Sequence, residues 1–338
     1  MNQSVFVPNQ LTQVKMTSAL GQWQKRLGGL LAAQLILAGA IFAWQEARQP
    51  DVHSEPLMAV KQNEVDKLVI TEGQNSVTLQ KVNGQWQLPQ VQQLPVDEQK
   101  LTGLLDKLAN TQLTWPVATT GSSHERFEVS EQKFQRKINA YKADQSVVEF
   151  YLGTSPSFKK VHLRKQGDKT VYAVGLSAFD FYSTAPNWLK KDLLALADVQ
   201  TINGSDFSLR KTANGWSLEG SNDSVDKNKA DDLAAAFAKL AVLEPADNLP
   251  NGEPRNLTVT AAGQPYQFTL VKADNQYFIR RGDKPQVFKI SQADYERLTK
   301  PVKNELLAKP TTTGANLDPV GQMLQQSTEG IFKAKPAQ

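Results

Sequence analysis

The sequence predicts an α+β protein: one N-terminal transmembrane helix followed by two duplicated domains, each an antiparallel sheet with helices on one face. Three observations predict it. Residues 27–44, LGGLLAAQLILAGAIFAW, form a single uncharged apolar run. The stretch KVNGQWQLP at 81–89 has a near double, KTANGWSLEG, at 211–220. After each comes a helix-period segment that opens on Val-Asp, and then several runs of alternating apolar and polar residues.

A chain of 338 residues has room for two ordinary domains with a core each. Of its 38 basic side chains, Lys15, Lys25 and Arg26 precede the apolar run, where no acidic residue occurs; with those set aside the body is almost neutral against 34 acidic side chains. That balance lacks the concentrated basic face of a nucleic-acid-binding protein, so no nucleic-acid partner is expected. The absence of cysteine excludes disulfides, a lipidated N-terminal cysteine, a thiol nucleophile and a thiolate metal site.

The first element is the apolar run. Residues 1–26 read as a cytoplasmic tail, 27–44 as the transmembrane helix and 45–59 as a stalk. At 1.5 Å per residue the run makes about 27 Å of helix, close to the hydrocarbon thickness of a bilayer. Trp23 and Trp44 bracket it at the depth amphipathic rings prefer. Lys25 and Arg26 lie before it, while Glu46, Arg48 and Asp51 follow, which places the N-terminus in the cytoplasm and the rest in the periplasm of an inner membrane. A cleaved signal peptide is the rival, since AGA at 38–40 has the form of a cleavage site. Met16 is an alternative start.

The stalk, RQPDVHSEPL, is polar and carries prolines. Two units follow, 60–197 and 198–309, and their parallels come in the same order. After the tryptophan turns come VDEQKLTGLLDKLAN from Val96 and VDKNKADDLAAAFAKLAV from Val225. LRKQGDKTVYAV at 163–174 then faces IRRGDKPQVFKI at 279–290, and LKKDLLAL at 189–196 faces VKNELLAK at 302–309. Ordered matches of this kind indicate an internal duplication, with Trp86 over Trp216 and Gly167 over Gly282.

Within a unit, Val77, Leu79, Trp86 and Leu88 alternate around Asn83-Gly84, as a half-buried hairpin should. Leu101, Leu104, Leu105 and Leu108 recur at helical spacing behind a capping Asp97, and Leu233, Phe237 and Leu240 fill that stripe in the second unit. Strands follow at SVVEFYLG, at YQFTLV and around the two Gly-Asp turns. A short closing helix is expected at 189–196 and at 302–308. The shorter second unit places an insertion in the first, near 119–137. Residues 310–338 are polar and read as a flexible C-terminal tail.

Little chemistry is legible. His53, His124 and His162 are the neutral-pH bases and share no metal-binding or catalytic spacing. No phosphate-cradling glycine loop and no G-x-S-x-G occurs. No catalytic residue, metal ligand or cofactor is expected, and Trp86 and Trp216 read as core residues. Two features suggest partner binding. On the apolar helix, Gly28, Ala32, Leu35, Gly39 and Ala43 share a narrow, mostly small stripe that would let another helix approach, with Gln34 on the roughly opposite side. The stretch FDFYSTAPNW at 179–188 gathers Phe179, Phe181, Tyr182 and Trp188, either as a buried patch between the domains or as an exposed partner surface.

Taken together, the apolar helix, the N-G-x-W-x-L turns, the Val-Asp helix starts, RFEV at 126–129 and LKKDLLAL resemble a family of exported proteins, the domain-of-unknown-function family numbered 4340. The resemblance covers roughly 60–309 and rests on structural motifs. It implies an accessory envelope role, since members are often encoded beside permease and substrate-binding-like components of ABC transporters resembling those of gliding motility. Here Glu128 follows the aromatic residue, where the family commonly has glycine. The expected function is a non-catalytic, membrane-anchored periplasmic accessory protein of an ABC-type system, partnered by a permease or an associated exported subunit. A glycan- or peptide-binding module is the alternative, and a carboxylate-based glycan hydrolase a third reading.

Overall fold

The computed structural model describes residues 17–47 and 54–308. The tail before Thr17, residues 48–53 of the stalk with His53, and the tail at 310–338 lie outside the described residues.

Helix α1 (Thr17–Ala47) contains one stretch, Lys25–Trp44, that is long and apolar enough to cross a membrane, with a mean hydropathy of 1.9 and none of it buried against protein. A helix apolar all round needs either a protein core or lipid around it. The body supplies no such core, since Leu35, Ile36 and Phe42 all stand exposed.

The body is mixed α+β and built on two large antiparallel sheets, beside a two-stranded one that pairs Glu55–Pro56 with Gln112–Leu113. The first contains β1 (Lys67–Glu72), β2 (Asn75–Val82), β3 (Gln85–Leu88), β4 (Pro116–Ala118), β5 (Arg136–Lys142), β6 (Gln145–Leu152), β7 (Val161–Lys165) and β8 (Val171–Val174). The second contains β9 (Val199–Asn203), β10 (Ser208–Thr212), β11 (Gly215–Leu218), β12 (Val242–Ala246), β13 (Arg255–Ala261), β14 (Gln264–Ala273), β15 (Gln276–Arg281) and β16 (Val287–Ile290). Across the sheets the orders are β3-β2-β1-β5-β6-β7-β8-β4, with Leu94–Pro95 added beyond β3, and β11-β10-β9-β13-β14-β15-β16-β12. Strand for strand, the two sheets have the same order.

One helix covers each sheet after its first hairpin. Helix α2 (Glu98–Asn110) buries Leu101, Leu104, Leu105 and Leu108, the stripe expected from their spacing. Helix α4 (Lys227–Ala238) buries Ala230, Leu233, Ala236 and Phe237. Asp97 caps α2 by accepting from the Lys100 amide, and Asp226 caps α4 by accepting from Asn228 and Lys229, each cap adding about 1 kcal/mol. Trp86 and Trp216 are core residues. They hold the same ladder position, opposite Lys81 and Lys211, although the turn is Asn83-Gly84 in one hairpin and Ala213-Asn214 in the other.

The first unit is longer at two places. Its β4–β5 connection runs through 119–135, including α3 (His124–Phe127), where the second unit uses 247–254. Its β6–β7 connection runs through 153–160, where the second unit turns on Asp274-Asn275 alone. These two additions pack together. Gly153 lies so close to them that a Cβ there would meet the Phe127 carbonyl oxygen at 1.9 Å. Val129, Tyr151 and Val171 form a small satellite core beneath, on the sheet face opposite Phe150 and Leu152.

Two expectations are corrected. No helix forms at 189–196. Leu189 bridges Val96 in the first unit, whereas Lys191 accepts from the Val242 amide and Leu196 donates to the Phe237 carbonyl in the second. LKKDLLAL is therefore a non-helical strap between the two sheets, with Leu189, Leu194 and Leu196 buried in one core that residues of both sheets share. The closing element of the first unit is instead the 3-10 turn Ala185–Asn187; in the second, α5 (Gln292–Thr299) and α6 (Lys303–Leu306) close the fold. Gly167 also does not match Gly282: Leu163 pairs with Tyr172 as Ile279 pairs with Phe288, which sets Gly167 level with Asp283. Gly167 has a positive φ of 85°.

Candidate functional site: a lysine clasp and two grooves

The polar groups that recur between the units meet where each covering helix begins. In the first unit the Asp97 amide donates to the Trp188 carbonyl, the Lys190 amide to Pro95, and Lys100 Nζ to the Asn187 carbonyl at 2.7 Å. In the second the Asp226 amide donates to Leu306, the Ala308 amide to Ser224, and Lys229 Nζ to the Glu305 carbonyl at 2.6 Å. Val96 bridges Leu189 just as Val225 bridges Leu307. Both units thus carry one clasp, written Val-Asp-x-x-Lys: the aspartate caps the helix while the lysine ties its first turn to the closing turn.

The clasps differ in what surrounds the lysine. Lys100 Nζ lies 4.0 Å from the Tyr182 ring centroid and 5.1 Å from that of Trp188, two rings that meet edge to face. The Trp188 indole N–H donates to the Tyr182 carbonyl at 2.8 Å. Burial in this aromatic setting pushes the Lys100 ammonium below its usual range, with Asp97 and Asp180 opposing the shift. Lys191 sits nearby and donates to the Pro186 carbonyl at 2.7 Å and across to the Leu243 carbonyl of the second unit at 2.5 Å. Burial lowers its pKa first, and the Lys100 charge lowers it further. Both ammonium groups spend their protons on main-chain carbonyls, an arrangement that positions backbone.

Two grooves flank the clasps. One, of about 760 Å³, lies between Trp86, Pro95, Asp97 and Glu98 on one side and Lys190–Leu193 on the other. The second, of about 520 Å³, lies on the second unit between α4, α5 and α6. Among the described residues no group of three or more His, Asp or Glu side chains is placed to hold a metal ion. His162 is buried, with Nδ1 2.9 Å from the Thr154 hydroxyl and its ring 4.3 Å from that of Phe127, while His124 Nε2 reaches the Lys169 carbonyl.

The residues singled out in the sequence do not form one surface. Gly28, Ala32, Gln34 and Gly39 are exposed on α1, and nothing approaches within 4 Å of where a Cβ would stand on Gly28 or Gly39. In the aromatic stretch, Phe181 and Trp188 are wholly buried, Tyr182 is 39% exposed and Phe179 80% exposed. Phe181 meets Phe150 edge to face inside the first unit, while Ala185–Asn187, at the end of the stretch, lies against Val242–Ala246 of the second. Sequence reasoning missed Lys100, Lys229 and Lys191. For the first two the signal was present, in the lysine three residues after each helix-capping aspartate.

A tandem pair of antiparallel sheets, each closed by a Val-Asp-x-x-Lys clasp, behind one apolar helix: that is the class of protein the fold defines. The chain belongs to the family described as Domain of unknown function (DUF4340), whose model matches residues 86–259. The match begins at Trp86 in the first sheet and ends at Val259 in the second. No curated protein matches the chain, and no solved structure does.

Proposed function

We propose that this protein is a non-catalytic, single-pass accessory subunit of an ABC-type envelope transport system, anchored in the inner membrane with its tandem sheets in the periplasm. The carrying observation is the pairing of a wholly exposed apolar helix with a body whose recurrent polar residues, Asp97 with Lys100 and Asp226 with Lys229, hold backbone in place. The basic residues before the helix support a cytoplasmic N-terminus. The partner is a transporter permease or an exported subunit associated with one, in keeping with the resemblance of the motifs. We also infer that the two units descend from one duplicated unit; equal strand order and the repeated clasp support this.

The test is purification of the full-length chain from membranes in mild detergent, with a periplasm-active reporter fused after Lys309 or at Met16. An active C-terminal fusion, an inactive N-terminal one and a co-purifying permease are expected. A mature N-terminus near Ile41, or a chain that leaves the membrane without detergent, would overturn the anchor. The exposed Phe179 favours a second reading, a module holding a cell-wall glycan or peptide. Retention on peptidoglycan that is lost in Phe179→Ala would support that reading over the first.

A further inference from the structure

We propose that the groove between α4, α5 and α6 is a docking site for an aromatic side chain with an acidic neighbour, presented by a segment of a partner protein. This goes beyond the transporter reading, because it holds whichever protein supplies the segment.

The first unit shows what the site accepts. Counting from the matched hydrogen bonds of the clasps, Lys229 stands where Lys100 stands, Leu306 where Trp188 stands, and Ala235 and Ala236 where Asp106 and Lys107 stand. In the first unit the space beside the clasp lysine is taken by the chain's own rings, Tyr182 and Trp188. In the second, no aromatic residue follows Tyr295 before the closing turn, and the smaller Leu306, Ala235 and Ala236 leave the groove of about 520 Å³. That volume falls within the range of sites that hold small ligands or single anchoring side chains. Its floor is apolar, from Leu233, Ala236 and Leu306, and an ammonium at one end is the group that favours the face of an aromatic ring.

The rim supplies the second part of the specificity. The groove also carries two carboxylates, Asp232 one helical turn from Lys229 and Glu305 in the closing turn that Lys229 holds. Lys239, two turns further along α4, is exposed and among the described residues makes no ion pair, whereas the neighbouring Arg297 is held by Asp294 at 3.2 Å. A carboxylate one residue from the docked ring would reach Lys239 at the rim, where charge complementarity selects partners more than it adds affinity.

The experiment uses the full-length chain in detergent with methyl-labelled Leu and Ala side chains, and acetyl-Glu-Trp-Glu-amide as the probe. The expected result is saturable shifts of the Leu233, Ala236 and Leu306 methyl signals. Binding should be at least about tenfold tighter than that of the Glu-Ala-Glu peptide, the scale of a desolvated aromatic anchor. The Leu306→Trp variant, which gives the second unit the first unit's own filling, should remove the response. Lys239→Glu lies on the exposed rim and leaves the core intact; it should make the Lys-Trp-Lys peptide the better ligand. Equal binding of the Glu-Ala-Glu peptide, or indifference to both variants, would overturn the proposal. So would two results without any probe: shifts of the same methyls that depend on protein concentration, showing a second copy in the groove, or shifts caused by Phe332→Ala, showing the chain's own C-terminal segment there.

Discussion

Glu128 ends α3 with φ 55° and ψ 44°, in the left-handed region. A residue with a side chain spends about 1–2 kcal/mol to sit there, and glycine spends almost none. The glutamate has some return: one carboxylate oxygen accepts from Gln135 at 3.1 Å and the other lies 3.3 Å from Lys133, both of which hold its pKa down. That ion pair is solvent-screened and weak. Glu128→Gly should therefore raise the thermal midpoint by about 2–4 °C, and an unchanged or lower midpoint would show that the side-chain contacts outweigh the backbone strain. His162 is a second informative residue. Burial lowers its pKa, with a lesser contribution from Arg126, and a hydrogen bond with Thr154 opposes the shift. The folded value lies below the unfolded one, so the unfolded chain takes up the proton first. Stability is then full above the unfolded value of about pH 6.5 and is lost progressively as pH falls from there through the lower folded value. Thermal melts at pH 7.5 and pH 5 should show an acid loss about 2–4 °C greater in the wild type than in His162→Gln. Neither position was legible from composition or spacing, because positive φ and burial both arise from the packing of two connections distant in sequence.

Among the elements, the helices and hairpins were the readable part. Their signals are local: an Asp cap, leucines at helical spacing, and alternation on either side of a turn. The strap was unreadable for a physical reason. Leu189, Leu193, Leu194 and Leu196 have the spacing of a helix, yet Leu189 bridges Val96 of the first unit while the Leu196 amide donates to the Phe237 carbonyl of the second. Spacing alone does not say that neighbouring leucines are tied to different sheets. The clasp lysines lead to the element-scale prediction. Lys100 gives a charge-assisted hydrogen bond in a half-buried aromatic setting, so Lys100→Met should destabilise its unit by about 1–2 kcal/mol in urea unfolding. Lys229 makes the same bond in the open, and Lys229→Met should cost clearly less, below about 1 kcal/mol. Equal losses at the two sites would deny the part given to the rings around Lys100.

For the whole molecule, we infer from the main-chain bonds of Lys190 to Pro95 and of Val242 to Lys191 that the units divide near Lys190, a few residues before the expected 197. A fragment covering 191–308 keeps the buried Leu194 and Leu196, whereas one covering 199–308 loses both. Removing each leucine from a core costs about 2–5 kcal/mol, so the longer fragment should melt cooperatively and the shorter one should be unfolded or aggregated at 25 °C. A stable shorter fragment would return the boundary to its expected place. The junction has a further consequence. Lys190 leaves the first unit by the same hydrogen bond, made to Pro95, with which Ala308 leaves the second toward Ser224. The exit of one unit is thus geometrically the entrance to another, and the architecture is open-ended. A chain engineered to repeat 191–308 after Ala308 would meet the same stereochemical instructions a second time, adding a further sheet to the pair.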